Sequence, residues 1–328
     1  MTVKSLVSKR TIYIGATIVF ILIVVVATLS FYLQKPISTT PKAAIIDQLS
    51  SSYLTSSSRS VNQTFINETR TLLYTHFPEV DYYSDNATVD NYKNLPSDGY
   101  KLIIWRAHSA KDESGKFIAI STSENNGTSD YPQYSNGELT LCYIQPDPTF
   151  YFAITPKFIT EVMSGRFDDT VIILMTCNGL EGGYTKTAEA LEEKGAKAII
   201  SWDNWIEASN NDGATALLLN YLINENNTIQ QAVAKIPQQP PSPFGGPSQM
   251  KFFPTSNETA AYRIPNYNEK ATISNAWPAG MPTLQNVDAE GSNRANHEPE
   301  VDSAKLLDVS IALKRSRIAG YEELHPQD

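Results

Sequence analysis

The sequence predicts an α/β fold in which a mostly parallel sheet lies between helices. Short apolar runs alternate with helical patterns from residue 42 to residue 108, in the order strand, helix, strand, helix, strand. Residues 168–204 repeat this alternation, with apolar runs at 171–175 and 198–202 on either side of a helical pattern. Near-continuous apolar runs are typical of strands that are buried on both faces of a parallel sheet. Together these features predict helices on both faces of the sheet.

Each element of the first unit has its own signal. Residues 42–47 form the opening apolar strand, and residues 80–83 form a second one. Between them, apolar side chains recur at helical spacing over residues 61–77, which predicts a helix that crosses back over the sheet. Residues 88–95 are predicted as a short helix or turn. The strand that follows ends on His108.

The middle of the chain breaks this rhythm. Short β-like pieces at 117–122, 139–144 and 151–154 are separated by polar and proline-rich turns, which predicts a hairpin excursion along one side of a cleft. Thr155 and Pro156 then supply an N-cap and a first-turn proline for a helix that leads into the 171–175 strand.

The later elements follow from capping and breaking residues. Gly195 closes the helical pattern at 185–194. Residues 210–212 are predicted to cap a helix, residues 228–236 to form another, and residues 252–262 to return one edge strand. The inward side chains of the first of these helices are predicted to be Ala214, Leu217, Leu218, Tyr221 and Leu222.

The amino terminus predicts a membrane anchor. Residues 1–10 carry Lys4, Lys9 and Arg10, and residues 11–33 contain no charge. A helix of that length crosses a hydrocarbon core of roughly 30 Å. The basic flank predicts a single-pass protein of the cell membrane with a cytoplasmic amino terminus and everything after Lys35 outside. A cleaved signal peptide is the alternative, although the uncharged run is longer than its usual apolar core.

Composition divides and characterises the exported part. After a linker at 34–41, one α/β domain is predicted at 42–264 and a polar, loosely ordered tail at 265–328, with one helix near residues 303–315. The formal net charge of −9 gives no electrostatic footprint for nucleic acid, so nucleic acid is not a predicted partner. Sequons of the type Asn-x-Ser/Thr predict a glycoprotein. They begin at Asn62, Asn67, Asn86, Asn126, Asn226 and Asn257.

A cysteine and a histidine stand at the ends of two predicted strands. Cys177 follows the 171–175 strand and precedes a glycine-rich corner and a helix, a setting that lowers a thiol pKa. The carboxyl ends of strands in an open α/β sheet are where ligands and chemistry collect. His108 can therefore activate the thiol as a base or protonate a leaving amine. The N–H of Cys177 and an N–H near His108 offer an oxyanion hole.

Structural roles compete with this interpretation. Cys177 can form a disulfide with Cys142, since the chain has two cysteines, or it can be an inert buried thiol. His108 can be a histidine that hydrogen bonds hold at a strand end. The joint placement of the two side chains, with a helix and a strand after the cysteine, favours catalysis over these alternatives.

The segments around the pair resemble the caspase-like, or clan CD, cysteine peptidases, especially the gingipain-like and CHAT-type branches. The resemblance spans roughly residues 42–236 and is carried by the opening strand at 42–47, the histidine strand at 100–109, the cysteine corner at 171–179 and the helix and strand at 192–202. It implies a caspase-like three-layer sandwich. It also implies that His108 is the general acid/base and Cys177 the nucleophile.

Two further expectations come with the resemblance. The family usually has glycine directly after the histidine, where its N–H helps to bind the oxyanion, and this chain has Ser109 there. The family's substrate pocket often holds a fixed charge, so Asp203, just beyond the strand next to Cys177, is a candidate to select Arg or Lys. Trp202 or Trp205 is the candidate wall of that pocket. A solvated loop carboxylate is the structural alternative for Asp203.

The sequence thus predicts a membrane-anchored, extracytoplasmic cysteine endopeptidase that hydrolyses a protein or peptide substrate through an acyl-enzyme. There is no HExxH or CxxC motif, so no metal and no cofactor is predicted. The alternative is a caspase-like domain that no longer cleaves and serves as a surface receptor or adhesion module. Ser109 and the candidate disulfide favour that alternative.

Overall fold

The computed structural model describes residues 40–113, 115–127, 131–144 and 149–268. The predicted anchor at 11–33 lies outside these residues, and so does the predicted tail at 265–328 except for its first four residues. Within the described ranges, no helix is both long and apolar enough to cross a membrane.

The described chain is a mixed α/β structure, as the sequence predicts. Its strands are β1 (Lys42–Asp47), β2 (Glu79–Tyr83), β3 (Tyr100–Arg106), β4 (Ser109–Lys111), β5 (Ile118–Asn125), β6 (Leu139–Tyr143), β7 (Phe150–Ile154), β8 (Thr170–Met175), β9 (Ala196–Trp202) and β10 (Met250–Phe253). Its α-helices are α1 (Gln63–Leu73), α2 (Val89–Asn94), α3 (Lys186–Glu193), α4 (Ala208–Leu219), α5 (Ile229–Ala234) and α6 (Asn257–Ala261). Two short π-helical segments occupy Phe158–Val162 and Asn220–Asn224.

The main sheet has six strands in the order β10-β9-β8-β3-β1-β2. All neighbours are parallel except β10, which runs antiparallel to β9. Side chains alternate between the faces of a strand, so Ile45 and Ile46 enter two different hydrophobic cores. Helices α1, α4 and α5 contribute to the core that contains Ile45, and α2 and α3 contribute to the other. Both faces of the sheet are therefore covered by helices.

The predicted excursion forms a second, four-stranded antiparallel sheet. Its strand order is β4-β5-β7-β6. Apolar side chains of β5 and β7, such as Ile120 and Ile154, join the same core as α2 and α3. Strand β4 follows β3 after only Ala107 and His108, so this sheet begins beside the carboxyl end of β3.

Helix α4 differs from its prediction. It begins at Ala208 after Glu207, so Asn211 and Asp212 lie inside the helix instead of capping it. Both side chains are buried. Asn211 accepts a hydrogen bond from Trp202 and Asp212 accepts one from Arg106, so their polar atoms are satisfied there. Leu217, which the periodicity places inward, is exposed.

The end of the domain also differs from its prediction. The single edge strand predicted at 252–262 is instead β10 followed by α6. Proline at 254 favours the end of a strand because it has no N–H to donate to the ladder. Tyr267, predicted to lie in the tail, is buried against Phe77 with 5.3 Å between the ring centroids. The packed structure thus continues past the predicted boundary at residue 264.

A buried ion cluster joins β1, β3 and α4. Arg106, the last residue of β3, is fully buried, and its Nη1 donates to Asp47 Oδ1 at 2.7 Å. Its Nε and Nη2 donate to the two carboxylate oxygens of Asp212 at 2.7 and 2.9 Å. The second oxygen of each carboxylate is also satisfied, by Tyr82 at Asp47 and by Asn62 at Asp212. This bidentate geometry is what a buried charge requires to offset its desolvation.

We expect Asp212→Ala to lower the free energy of unfolding by about 3–5 kcal/mol, because it leaves the Arg106 guanidinium buried without its bidentate partner. Urea unfolding followed by fluorescence measures this change. Asp168→Ala is the control, since Asp168 pairs with Lys101 on the surface and exposed pairs contribute about 1 kcal/mol or less. Equal losses in the two variants would contradict the structural weight assigned to the cluster.

Candidate active site

Strand register brings His108 and Cys177 to one edge of the sheet. Strands β3 and β8 are parallel neighbours in which Arg106 pairs with Met175. His108 and Cys177 each follow their paired residue by two positions. Both residues therefore lie just beyond the ends of adjacent strands, on the carboxyl edge of the sheet.

Hydrogen bonds fix both the backbone and the ring of His108. Its N–H donates to Gln48 Oε1 at 3.0 Å, and its carbonyl accepts from Ser121 N at 2.9 Å. Its Nε2 lies 2.7 Å from the Ser58 carbonyl oxygen. A carbonyl can only accept, so Nε2 carries the proton and the neutral ring has its lone pair on Nδ1.

The surroundings of His108 favour the neutral form of its ring. Burial lowers the pKa of His108, and the positive charge of Arg106 lowers it further, while the hydrogen bond to Ser58 opposes both. Burial disfavours the charged imidazolium, so the ring of His108 stays neutral to a lower pH than a histidine with the ordinary pKa does.

The thiol of Cys177 differs from the prediction in its acidity. Burial raises its pKa, and a backbone hydrogen bond with Ile206 and the nearby charge of Lys111 offset only part of that increase. The Sγ atom lies 3.5 Å from the Ile206 carbonyl, to which the thiol donates. The expected lowering by the corner and helix was therefore wrong, because the desolvation of the thiolate outweighs it. The directions of the two pKa shifts favour the neutral thiol and the neutral imidazole.

The disulfide alternative is also wrong, because Cys142 and Cys177 are both free. Cys142 lies in β6 within a small apolar cluster that includes Leu54 and Tyr151. Burial there raises the pKa of Cys142 to about 12, so this second thiol is unreactive at neutral pH.

The corner after Cys177 is pressed against β9. Asn178 has a left-handed backbone with φ of 59°, and its N–H donates to the Asn204 carbonyl at 3.0 Å. A Cβ atom on Gly179 would lie 2.1 Å from Ser201 Oγ. The corner therefore needs glycine at this position for close approach to its neighbour strand.

Ser109 connects the two halves of the pair. Its hydroxyl donates to the Cys177 carbonyl at 2.7 Å. The His108 carbonyl faces β5, and antiparallel strands alternate the direction of their polar groups, so the Ser109 N–H points away from β5. The N–H groups of His108 and Asn178 already donate within the protein, which keeps Ser109 and Cys177 as the candidate oxyanion donors.

The three side chains predicted to bind substrate differ in their burial and in their partners. Trp202 is buried and its indole N–H donates to Asn211, so it belongs to the core and offers no wall to a ligand. The Asp203 carboxylate pairs with Lys251 at 2.8 Å and accepts from Gln249 N, which neutralises the charge expected to select a basic residue. Trp205 is 36% exposed and contacts Phe244, itself 66% exposed, at a ring separation of 5.3 Å.

Four further residues contribute to this site and were not predicted from the sequence. Gln48 and Phe244 act through side chains, and a polar residue directly after the opening strand was a usable signal for Gln48. Ser58 and Ile206 act through backbone carbonyls, which any residue type supplies, so their side chains carry no signal.

Comparison with known proteins adds no role for these residues. No protein-family model matches the chain, and no curated protein matches it. Across the described ranges, no group of His, Cys, Asp and Glu side chains is arranged to hold a metal ion. The groups that these residues do bring to the edge are a thiol, an imidazole and backbone N–H donors.

We expect Gly179→Ala to destabilise the domain by about 1–3 kcal/mol, because the added methyl group overlaps Ser201, whose hydroxyl donates to the Leu174 carbonyl. Gly182→Ala in the same corner is the matched control, since nothing lies within 4 Å of its added Cβ. Urea unfolding of the two variants checks the difference. Unchanged stability of Gly179→Ala would show that the corner is looser than described.

Proposed function

We propose that this chain is a cysteine peptidase of the caspase-like type, with Cys177 as nucleophile and His108 as general acid/base. One observation carries the proposal. A free thiol and an oriented neutral imidazole stand at the ends of adjacent parallel strands. The mostly parallel sheet with helices on both faces fits the three-layer sandwich of that family. The proposal includes an anchor at residues 11–33 and a domain outside the cell membrane, which the uncharged run and its basic flank support.

The neutral pair determines how the first step proceeds. As Sγ of Cys177 leaves the Ile206 carbonyl and attacks the substrate carbonyl carbon, Nδ1 of His108 takes the thiol proton. The Nε2–H stays on the Ser58 carbonyl, which stabilises the imidazolium that forms. The N–H groups of Ser109 and Cys177 bind the developing oxyanion.

The remaining steps return the site to its starting state. The imidazolium gives its proton to the leaving amine as the carbon–nitrogen bond breaks, which leaves an acyl group on Cys177. Water then attacks this thioester while His108 accepts a proton from it. Release of the carboxylic acid product restores the thiol and the neutral imidazole.

The surface beside the thiol favours an apolar substrate side chain. Ile206 contacts the thiol, and Trp205 precedes it, so the Trp205–Phe244 pair borders the site. The loop is held firmly, because Asn204 donates to the Pro247 carbonyl and a Cβ on Gly245 would lie 2.5 Å from Asn204 Oδ1. An exposed aromatic pair on a rigid loop suits an aliphatic or aromatic residue. We propose this preference in place of the basic one.

The dyad is tested by labelling the full chain in detergent micelles with a thiol-reactive peptide probe and mapping the modified residue by mass. We expect Cys177 to be labelled, and His108→Ala to slow the labelling roughly 100-fold because it removes the base. His76→Ala and Cys142→Ala are controls that leave the rate unchanged. If His108→Ala were labelled at the wild-type rate, the dyad would be contradicted. Absence of both labelling and cleavage would favour the receptor alternative, in which burial keeps the thiol protonated.

The apolar preference is tested with a peptide panel that varies one residue at a time near the scissile bond. We expect aromatic and aliphatic peptides to be cleaved best, and Phe244→Ser to lower their kcat/KM by about 10-fold or more. Leu217→Ser is the control, since it removes an exposed apolar side chain from α4. A preference for Arg or Lys that Phe244→Ser leaves intact would contradict the assignment.

A further inference from the structure

Gln48 is a buried polar side chain at the point where the two sheets meet. It directly follows β1 and is completely buried. Its Oε1 accepts from the His108 N–H at 3.0 Å, while its Nε2 donates to the Thr122 carbonyl in β5 at 3.2 Å. Burial of a carboxamide is costly unless its hydrogen bonds are made, and this one joins the connection between β3 and β4 to strand β5.

The backbone of Gln48 contributes a second time. Its carbonyl accepts from Ser51 N at 3.1 Å, which starts the loop that carries Ser58, and Ser60 N closes that loop on the Leu49 carbonyl at 2.8 Å. Ser58 in turn accepts from the His108 ring. One residue therefore influences the histidine at two points, through its side chain to the backbone and through the loop to the imidazole.

We infer that Gln48 is a positioning residue for His108. The inference rests on the proposed function. Gln48 sets the position and orientation of the imidazole relative to the Cys177 thiol. It also accepts the hydrogen bond of the His108 N–H, so that this N–H does not bind the oxyanion. The oxyanion donors are then Ser109 and Cys177. Gln48 touches no substrate, so its loss changes kcat with little change in KM.

The decisive comparison uses two substitutions in the full chain in detergent micelles. Gln48→Met keeps the length and removes the side-chain hydrogen bonds to His108, Thr122 and Ser121. We expect kcat to fall roughly 10- to 100-fold, since a displacement of about 1 Å of a catalytic group has effects of that order. Gln231→Met is the matched control, because Gln231 belongs to an exposed capping box at α5. It leaves kcat unchanged.

Gln48→Glu adds a second measurement, the pH dependence of kcat, which would not change if Gln48 had only a structural role. A protonated carboxyl can accept from the His108 N–H and donate to the Thr122 carbonyl, as the carboxamide does, whereas a carboxylate cannot donate. Burial raises the pKa of a carboxyl group. We therefore expect kcat of Gln48→Glu to approach wild type at low pH and to fall about 10-fold or more below it as the pH rises and the carboxyl ionises.

The outcomes separate the inference from the proposed function. If Cys177→Ala or His108→Ala cleaves peptides like wild type, the peptidase proposal fails. If these variants are inactive but folded Gln48→Met has the wild-type kcat, the positioning role is overturned and the proposal stands. Should Gln48→Met fail to fold, Gln48→Glu still decides, because a kcat ratio to wild type that does not vary with pH overturns the inference.

Discussion

The buried guanidinium of Arg106 is the constraint on which the carboxyl edge of the sheet depends. A charge without solvent must be matched, and both matching carboxylates come from elements that flank the site. Asp47 ends β1, so Gln48 follows at the same edge. Asp212 lies in the first turns of α4, which fixes where that helix must begin relative to β9. The short connection that results, residues 203–207, places the Ile206 carbonyl at the thiol.

The same charge influences the chemistry of the pair. Arg106 is two residues before His108, and its positive charge adds to burial in lowering the pKa of the imidazole. Burial has the opposite effect on the pKa of the Cys177 thiol. The two shifts diverge, and both favour the neutral thiol and the neutral imidazole over a thiolate–imidazolium pair. The proposed mechanism accommodates a neutral pair, because in it the attack by sulfur and the transfer of the thiol proton to Nδ1 proceed together once a substrate carbonyl displaces the thiol from Ile206.

The sequence was a good guide to the strands and a poorer guide to what lies between them. Apolar runs located β1, β3, β8 and β9 because each is buried on both faces, and parallel register then carried His108 and Cys177 to one edge. The positions of Asn211 and Asp212 could not be predicted, since their partners Trp202 and Arg106 are set by tertiary packing. The sequence does not distinguish Trp202 from Trp205. Strand β9 ends at Trp202, so that side chain is in the core, whereas Trp205 lies beyond the strand and is exposed. The pairing of Asp203 with Lys251 likewise appears only in the fold.

Ser109 was the sequence argument for an inactive domain, and its geometry weakens that argument. Glycine would be needed at this position if the backbone were left-handed, but Ser109 is a strand residue of β4, and its φ is not among the positive values in the described part of the chain. The serine therefore keeps the N–H without strain. Its hydroxyl also holds the Cys177 carbonyl, which glycine could not do. With both cysteines free, the other argument for inactivity also falls. What is left for that alternative is the raised pKa of the thiol, and a mechanism that begins from the neutral pair does not require a thiolate.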